Sequence, residues 1–287
     1  MQVSVYLPTR NRAASLQRAV ESVHAQSHAD FELIVVDDGS SDGTRELLEA
    51  VQRRDARVRV IHHDASRGAP VARNAAIAAS RGEWNTGLDD DDEFLPRRLE
   101  LLLAHARLLD AAGERCSAIF TQAIERTGPG QQQHSDKRGP VHFEDLFVSN
   151  VIGNQVFARR SMFEAIGGFD TTLPAWQDLD LLLRLTRRFG PARLLDVPLY
   201  VFDNQPRPDR ISAQSKQRIV QACDAVLAKH PEAPARLRRA LQRQVYSDFY
   251  GFALGPRDLW RCLSLGVDAR ALWWLARRLL PTARGAK

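Results

Sequence analysis

The chain has 287 residues, of which 44% are hydrophobic and 26% charged, and this is the composition of an ordinary globular protein with a substantial buried core. Three cysteines, an odd number, exclude the paired framework of a disulfide-stapled domain. The net charge of +5 favours anionic partners such as nucleotides, nucleic acid or acidic lipid head groups.

The sequence offers no targeting signal or membrane span. The first eight residues form too short an apolar stretch for a signal peptide and carry no basic residue. No window approaches the roughly 18 uncharged apolar residues of a membrane-spanning helix. Cys116, Cys223 and Cys262 are widely separated and follow no metal-binding spacing, which favours free thiols in a reducing compartment. We therefore expect a cytoplasmic protein.

Strand and helix patterns alternate through the first ninety residues. Strands are predicted at 3–7, 31–36, 58–61 and 84–88, and helices at 13–26, 45–53 and 69–80. This alternation predicts an α/β fold whose parallel strands are joined by right-handed crossovers.

Three polar clusters follow the predicted strands. They are Pro8-Thr9-Arg10, Asp37-Asp38, and the run from Asp89 to Asp92. Ligands of parallel sheets bind beyond the carboxyl ends of the strands. The clusters are therefore expected to meet at one edge of the sheet.

The four consecutive aspartates allow two interpretations. Adjacent anions repel one another, so the run is best tolerated where a cation binds. If the strand continues into the run, alternation places Asp89 and Asp91 on one side and Asp90 and Asp92 on the other. Two carboxylates on one side suit a hard divalent ion that keeps water and phosphate ligands. The alternative is a solvated acidic loop that caps the helix starting near Pro96.

Several motifs, taken together and in order, resemble the family 2 inverting glycosyltransferases. They are the segments 3–12 (VSVYLPTRNR), 31–44 (FELIVVDDGSSDGT), 67–74 (RGAPVARN), 88–92 (LDDDD), 166–170 (IGGFD) and 176–184 (WQDLDLLLR). The resemblance covers roughly residues 2–200. It implies an α/β fold of the GT-A type, with a mixed sheet flanked by helices that binds a nucleotide-diphospho-sugar. We expect this domain to span 1–205 and an α-helical C-terminal extension to span 206–287.

The resemblance also implies roles for residues of the polar clusters. Asp91, assisted by Asp89, would hold Mn²⁺ or Mg²⁺, which stabilises the leaving diphosphate as a Lewis acid. The nucleotide-sugar donor, with uracil as the expected base, would contact Pro8, Thr9, Arg10, Asp38, Arg73, Asp89 and Asp90. Arg10 stands where the family often has an aromatic residue, although an arginine plane also stacks on a base. Loop capping by Asp38 and a surface position for Arg73 are the alternatives.

Inverting transfer needs a base that deprotonates the acceptor hydroxyl. By resemblance this base is Asp178, at the start of a predicted helix, and Gln177 replaces the usual glutamate before it. Loss of that glutamate removes an anion that would raise the pKa of the base. Asp180 is the second choice, with helix capping as its alternative role.

The acceptor is expected to bind in the second half of the chain. Residues 127–140 read as a flexible loop of the kind that forms lids. The resemblance implies that Asn150, Asn154 and Trp176 contact an acceptor sugar. An interior anchor is the alternative for Trp176.

Three helices are predicted after the linker at 203–210, at 213–229, 233–252 and 256–280. The last one combines tryptophans with arginines, which suits a helix lying on an anionic membrane. Packing against the catalytic domain is the alternative, because Asp258 and Asp268 interrupt the basic face.

Two functions remain open on sequence grounds. The first is an inverting glycosyltransferase that extends a glycan or lipid-linked acceptor in cell-surface polysaccharide or lipopolysaccharide biosynthesis. The second is a non-catalytic nucleotide-sugar-binding or scaffold subunit, which the residues Arg10 and Gln177 make conceivable. Nucleic acid is not an expected partner, because no basic-aromatic platform or helix-turn-helix pattern accompanies the positive charge.

Overall fold

A computed structural model describes residues 2–128, 130–154, 156–205, 215–247 and 249–264. The chain forms two compact units. The first comprises Met1–Phe143, Val151–Thr172 and Gln177–Arg207, and the second comprises Glu144–Asn150, Leu173–Trp176 and Pro208–Lys287.

The first unit begins with the predicted alternation of strands and helices. In chain order the elements are β1 (Val3–Thr9), α1 (Ala13–His24), β2 (Phe31–Asp37), α2 (Thr44–Arg54), β3 (Val58–His62), α3 (Ala69–Ala79) and β4 (Trp84–Gly87). β2, β1 and β4 run parallel side by side, and β3 extends this sheet beyond β2. The parallel α/β fold expected from the sequence is confirmed.

The second half of this unit extends the same sheet. It contains β5 (Glu93–Phe94), α4 (Arg98–Ala111), β6 (Ala118–Gly128), β7 (Gln131–His134), β8 (Phe157–Arg159), α6 (Arg160–Ile166), α7 (Gln177–Phe189) and β9 (Ala192–Asp203). The short helix α5 (Phe143–Leu146) follows β7 in the chain and belongs, except for Phe143, to the second unit. The sheet is extended both by antiparallel pairs (β4–β8, β8–β6 and β9–β5) and by the parallel pair β6–β9. Within the described residues the strand order is β3-β2-β1-β4-β8-β6-β9-β5, and β7 pairs with β6. The result is a mixed sheet with helices on both faces.

The prediction of a flexible loop at 127–140 is wrong for the first half of this range. β6 continues to Gly128 and pairs with β7 through the register Ile124↔His134. The side chains of β7 are polar and exposed. The strand therefore has no hydrophobic periodicity from which it could be predicted.

Alternation along β1 divides the two faces of the sheet. Val3, Val5 and Leu7 point into a large apolar core shared with α1 and α4. Tyr6 points to the opposite face, where its ring meets Phe163 of α6. This second face carries the side chains that matter for the candidate site.

The second unit contains α8 (Lys216–Lys229), α9 (Ala235–Gln244) and α10 (Pro256–Ser264). The helix predicted at 233–252 is shorter and ends at Gln244. The Gln244 side-chain amide donates to the Leu146 carbonyl at 2.8 Å. Of the helix predicted at 256–280, residues 265–280 lie outside the described part. None of the described helices combines the length and the apolar character that crossing a bilayer requires.

Candidate active site

Three strands bring the polar clusters to one edge of the sheet. Thr9 at the end of β1 pairs in register with Asp37 at the end of β2. On its other side β1 pairs with β4 through Tyr6 and Gly87, directly before the acidic run. The convergence expected from the sequence follows from this parallel register.

The acidic run is a turn rather than a continuation of the strand. β4 ends at Gly87, and the Asp92 amide donates to the Asp89 carbonyl at 3.1 Å. This i to i+3 hydrogen bond closes a β-turn. The side-chain contacts consequently group Asp89 with Asp92, and Asp90 with Asp91. The alternation predicted for a continuing strand is wrong here.

Asp90 and Asp91 lie against the end of β1. Thr9 Oγ1 donates to Asp90 at 2.8 Å, and Arg12 donates from one guanidinium nitrogen to Asp91 at 3.1 Å. Burial raises the pKa of Asp90 to about 7, with the charges of Asp91 and Asp89 acting in the same direction. The Thr9 hydrogen bond and the Arg12 charge oppose this effect. The anions of the turn therefore repel one another at a place where a further cation is favoured.

Asp89 and Asp92 meet at a buried tyrosine. The Tyr200 hydroxyl donates to Asp92 at 2.6 Å and accepts from the Asn154 side-chain amide at 3.1 Å. The same Asn154 amide nitrogen donates to Asp89 at 2.7 Å. The Asp203 amide, at the end of β9, donates to Asp92 at 2.9 Å. Asp92 thus ties the turn to β9, and burial together with its acidic neighbours raises its pKa well above the usual range.

A buried arginine lies under this arrangement. The Arg98 guanidinium is 5.1 Å from the centroid of the Tyr200 ring and donates to Thr121 at 2.8 Å. Burial lowers the pKa of Arg98 to about 10, so the group remains charged at neutral pH. Burial raises the pKa of Tyr200, whose hydroxyl binds Asp92, and the charge of Arg98 acts to lower it.

Arg73 connects the acidic turn with the start of α7. It projects from α3 and pairs with Asp89 at 2.8 Å, and its guanidinium lies 5.4 Å from the Phe169 ring centroid. Its side chain is only 13% exposed, which argues against the surface position considered above. Burial alone would lower the pKa of Arg73, but Asp89 raises it, with further contributions from Tyr6 and Asp178.

Asp178 occupies the first turn of α7 and is partly buried. Burial raises its pKa, whereas the Leu179 amide and the Arg73 charge act to lower it. The helix N-terminus further favours its anion. A carboxylate with a raised pKa at a helix start can accept a proton during a reaction.

Asp180, the second choice for the base, has a different environment. It is fully buried and pairs with Arg184 at 2.7 Å, one helical turn later. Arg184 also donates to the Ile166 carbonyl at 2.7 Å. Asp180 therefore holds α7 against α6.

Asp38 organises a loop with both carboxylate oxygens. One oxygen lies 2.7 Å from His63 Nδ1 and 2.9 Å from the Arg67 amide, and the other accepts from Ser66 Oγ and the Gly68 amide. Burial would raise its pKa, but these hydrogen bonds lower it. This geometry favours the loop-organising alternative for Asp38, and its contact with a nucleotide base stays a prediction. Arg10, at the end of β1, is exposed, while Pro8 within β1 is buried.

The three acceptor candidates lie in different surroundings. Asn154 belongs to the first unit and contacts Asp89, as described above. Trp176 and Asn150 belong to the second unit. Trp176 is 8% exposed, has a φ of 61° and donates from its indole nitrogen to the Tyr250 hydroxyl at 2.7 Å. This hydrogen bond favours the anchoring alternative for Trp176, and a role of all three in acceptor binding stays a prediction.

The carboxylates of the turn fit a divalent ion that brings part of its own coordination shell. Among the described residues no group of three or more His, Cys, Asp and Glu side chains is arranged to hold a metal. Asp89 and Asp91 are partly exposed, and each already contacts a guanidinium, from Arg73 and Arg12 respectively. Mg²⁺ and similar ions prefer oxygen ligands and commonly bind through one or two carboxylates plus substrate phosphates. These two residues would hold such an ion.

Sequence reasoning missed three contributors to this site. Arg12 ends the first motif but had no expected role, and Tyr200 lies more than one hundred residues after Asp92. Tyr6 sits inside an apolar strand and reads as core. Only the folded register brings these side chains to the acidic turn.

The mixed sheet with an acidic turn beyond its fourth strand defines a GT-A glycosyltransferase fold. Solved structures share it: that of S. aureus TarS 1-349 in complex with UDP-GlcNAc has a TM-score of 0.69 at 18% identity, covering 94% of this chain and 83% of that one. Mannosyltransferase PcManGT from Pyrobaculum calidifontis, in complex with GDP-Man and Mn²⁺, has a TM-score of 0.61 at 20% identity, covering 100% and 76%.

The particular family follows from the sequence comparison. The model of glycosyl transferase family 2 matches residues 4–167, so the chain belongs to this family. The putative colanic acid biosynthesis glycosyl transferase WcaA of Escherichia coli is 34% identical over 66% of this chain and 67% of its own length. The succinoglycan biosynthesis protein ExoO of Rhizobium meliloti is 37% identical over 63% and 54%. The chain thus spans between about half and two thirds of these relatives.

Proposed function

We propose that this protein is an inverting glycosyltransferase of cell-surface polysaccharide biosynthesis. It moves a sugar from a nucleotide-diphospho-sugar to a hydroxyl of a glycan or lipid-linked acceptor. The setting in polysaccharide biosynthesis is supported by the similarity to WcaA, to ExoO and to the putative teichuronic acid biosynthesis glycosyltransferase TuaG of Bacillus subtilis, which is 40% identical over 53% of this chain. A UDP-sugar is the first donor to test because TarS was solved with UDP-GlcNAc, and a GDP-sugar is the second because PcManGT was solved with GDP-Man.

One observation carries the proposal. The acidic turn and Asp178 share Arg73, which pairs with Asp89 at 2.8 Å and whose charge lowers the pKa of Asp178. Arg73 thereby links two groups within the first unit: the acidic turn, which would receive the leaving diphosphate, and Asp178, which would deprotonate the acceptor. Inverting transfer requires these two functions on opposite sides of the transferred sugar.

The chain's own residues have separate tasks in this proposal. Asp178 takes the proton of the acceptor hydroxyl as that oxygen attacks the anomeric carbon. Arg73 and Arg12 supply positive charge beside the carboxylates of the turn, and they orient Asp89 and Asp91. A divalent ion held by these two carboxylates would supply further charge stabilisation for the departing diphosphate. Pro8, Thr9 and Arg10 line the end of β1 and complete the donor site.

The test is a panel of donors on the wild type and on Asp91→Ala. Thermal stabilisation is measured with UDP- and GDP-sugars, each with Mn²⁺, with Mg²⁺ or with a chelator. We expect one nucleotide class to stabilise the wild type in a metal-dependent way, and this effect to be lost in Asp91→Ala. Asp136→Ala, which removes a highly exposed carboxylate, is the matched control. No stabilisation by any donor would overturn the donor site and favour the scaffold function.

We also propose a peripheral contact of residues 256–280 with an anionic membrane. Five basic and two acidic residues lie in 256–280, a net charge of +3, and one of the basic residues, Arg261, pairs with Asp224. In the described part of the segment, Trp260 is 75% exposed. Asp258, which interrupts the basic face in the sequence, accepts from Tyr246 at 2.9 Å and also pairs with Lys216. Its charge is thus compensated inside the second unit, and the remaining basic charge suits anionic lipid.

A further inference from the structure

The buried residue Tyr6 has a position that its strand alone does not explain. It is 2% exposed and lies on the face of β1 opposite the large apolar core. Its ring meets Phe163 and Phe169 edge-on, each at a centroid distance of 6.2 Å. These two aromatic contacts fix the plane of the tyrosine ring.

The neighbouring strand makes room for this ring. Gly87 of β4 pairs with Tyr6 in register. A Cβ atom at position 87 would lie 2.6 Å from the ring carbon Cε2 and 2.8 Å from the hydroxyl oxygen. Any larger residue at 87 would therefore displace the ring. The tyrosine hydroxyl is held over Gly87, two residues before Asp89.

The Tyr6 hydroxyl differs from those of the other three tyrosines of the chain. Tyr200, Tyr246 and Tyr250 each exchange a hydrogen bond with a side chain of the protein. Tyr6 has no hydrogen-bond partner within the described ranges. The hydroxyl oxygen is not among the fully enclosed polar atoms that lack a partner, so it is accessible and can donate to a bound group.

The charged groups around Tyr6 are those of the candidate site. Arg73, Asp89 and Asp178 act on its hydroxyl electrostatically. Burial raises the pKa of Tyr6 far above the usual range, Arg73 lowers it, and the two carboxylates raise it further. The hydroxyl is thus protonated at neutral pH, where it can donate a hydrogen bond.

We propose that Tyr6 is a donor-specificity residue whose hydroxyl donates a hydrogen bond to an oxygen of the transferred sugar ring. This inference rests on the proposed function. A diphosphate would be met by the cations beside Asp89 and Asp91, and the acceptor hydroxyl by Asp178. The sugar ring must lie between these groups, and a neutral hydroxyl is the donor that suits a neutral sugar oxygen.

The test compares Tyr6→Phe with the wild type. UDP, UDP-GlcNAc, GDP and GDP-mannose are the probes, and thermal stabilisation, affinity and kcat/KM are measured. We expect the melting temperature without ligand to stay equal or to rise, because the lost hydroxyl had no partner. Stabilisation by the nucleoside diphosphate should be unchanged. The additional stabilisation from the sugar should be lost, and kcat/KM should fall about 3- to 30-fold.

Two further variants separate specificity from a structural effect. Tyr246→Phe removes a hydroxyl that bonds Asp258, so it should lower the melting temperature without changing the preference between diphosphate and sugar-diphosphate. Gly87→Ala should displace the Tyr6 ring and reproduce the loss of sugar binding.

The possible outcomes distinguish this inference from the proposed function. If the wild type binds no sugar nucleotide, the proposed function fails and this inference fails with it. If the wild type binds and Tyr6→Phe binds and turns over the same donor equally well, the inference alone is wrong. Equal loss of diphosphate and sugar-diphosphate binding, or a fall in the melting temperature without ligand, would also overturn it.

Discussion

Two aspartates on one helical turn allow a sharp test of the catalytic assignment. Asp178 and Asp180 are both on α7, and Asp180, which is fully buried, pairs with Arg184 one helical turn later. We predict that Asp178→Asn removes transfer and leaves stability intact. Asp180→Asn should do the reverse.

The magnitude for Asp178 follows from its raised pKa. The pKa of Asp178 is higher in the folded protein than in the unfolded chain. The stability that the protonated side chain contributes is therefore complete below the ordinary aspartate pKa of about 3.9, and it is lost as the pH rises through the raised pKa. At neutral pH the ionised Asp178 side chain therefore destabilises the fold. Each tenfold decrease in its acid strength on folding lowers the free energy of unfolding by about 1.4 kcal/mol. An asparagine cannot ionise, and its oxygen can still accept from the Leu179 amide. Asp178→Asn should thus be neutral or stabilising at pH 7, while transfer falls about 10²- to 10⁴-fold as expected for loss of a general base.

The magnitude for Asp180 follows from its ion pair. Asp180→Asn removes a fully buried carboxylate and leaves the 22%-exposed Arg184 guanidinium beside a neutral amide, which costs about 2–4 kcal/mol. For a domain of this size that corresponds to a fall in melting temperature of about 4–15 °C. The rate per folded molecule should stay near that of the wild type.

The assay pairs thermal unfolding with initial rates of sugar transfer from pH 4 to 9. In the wild type kcat/KM should fall on the acidic side through one ionisation whose pKa lies above that of an ordinary aspartate. This limb should be absent from the residual activity of Asp178→Asn. Transfer by Asp178→Asn within about a tenth of the wild-type rate would refute Asp178 as the base. Loss of transfer in a stable Asp180→Asn would move the assignment to Asp180.

Three further predictions concern Asp38 and Tyr200 of the first unit and Trp260 of the second. Asp38→Ala removes four loop contacts and should cost about 2–4 kcal/mol at pH 7. Since hydrogen bonds lower the pKa of Asp38, this difference should shrink as the pH falls below its ordinary pKa, and urea unfolding at several pH values measures it. Tyr200→Phe leaves Asp92 without its 2.6 Å donor and should cost about 1–3 kcal/mol, with weaker metal-dependent donor binding by calorimetry; unchanged values would contradict the role of Tyr200 in ordering the turn. Trp260→Ser should reduce co-sedimentation with anionic phosphatidylglycerol vesicles but not with phosphatidylcholine vesicles, and equal sedimentation of both proteins would overturn the membrane contact.

The sequence predicted the first half of the fold because its signals there are local. The buried run of β2 and the apolar spacing of α1 each specify an element without reference to distant residues. The edge of the sheet where ligands bind then follows from parallel connectivity. By contrast, β7 consists of exposed polar residues, and its pairing with β6 depends on register rather than on composition.

The candidate site was predictable only as a set of positions, not as a set of contacts. The sequence motif around Asp38 is the same whether its oxygens face a nucleotide base or the amides of its own loop, so the motif does not distinguish these two roles. In this structure its oxygens accept from His63 and the Gly68 amide, which favours the loop role, and the contact with a base stays a prediction. Trp176 likewise reads as a sugar-binding aromatic in the sequence, but its indole nitrogen donates to Tyr250, which lies 74 residues later.

The acidic run shows why four identical side chains in a row have different chemistry. A strand would have sorted them by alternation, but the Asp92 amide bonds the Asp89 carbonyl and closes a turn. The turn sends Asp92 into the interior, where a tyrosine and a backbone amide satisfy it, and leaves Asp91 partly exposed beside Arg12. Substitution of the buried member should therefore loosen the turn, whereas substitution of Asp91 should affect only what binds there. A single backbone hydrogen bond thus separates the structural carboxylate from the carboxylate that can take part in binding.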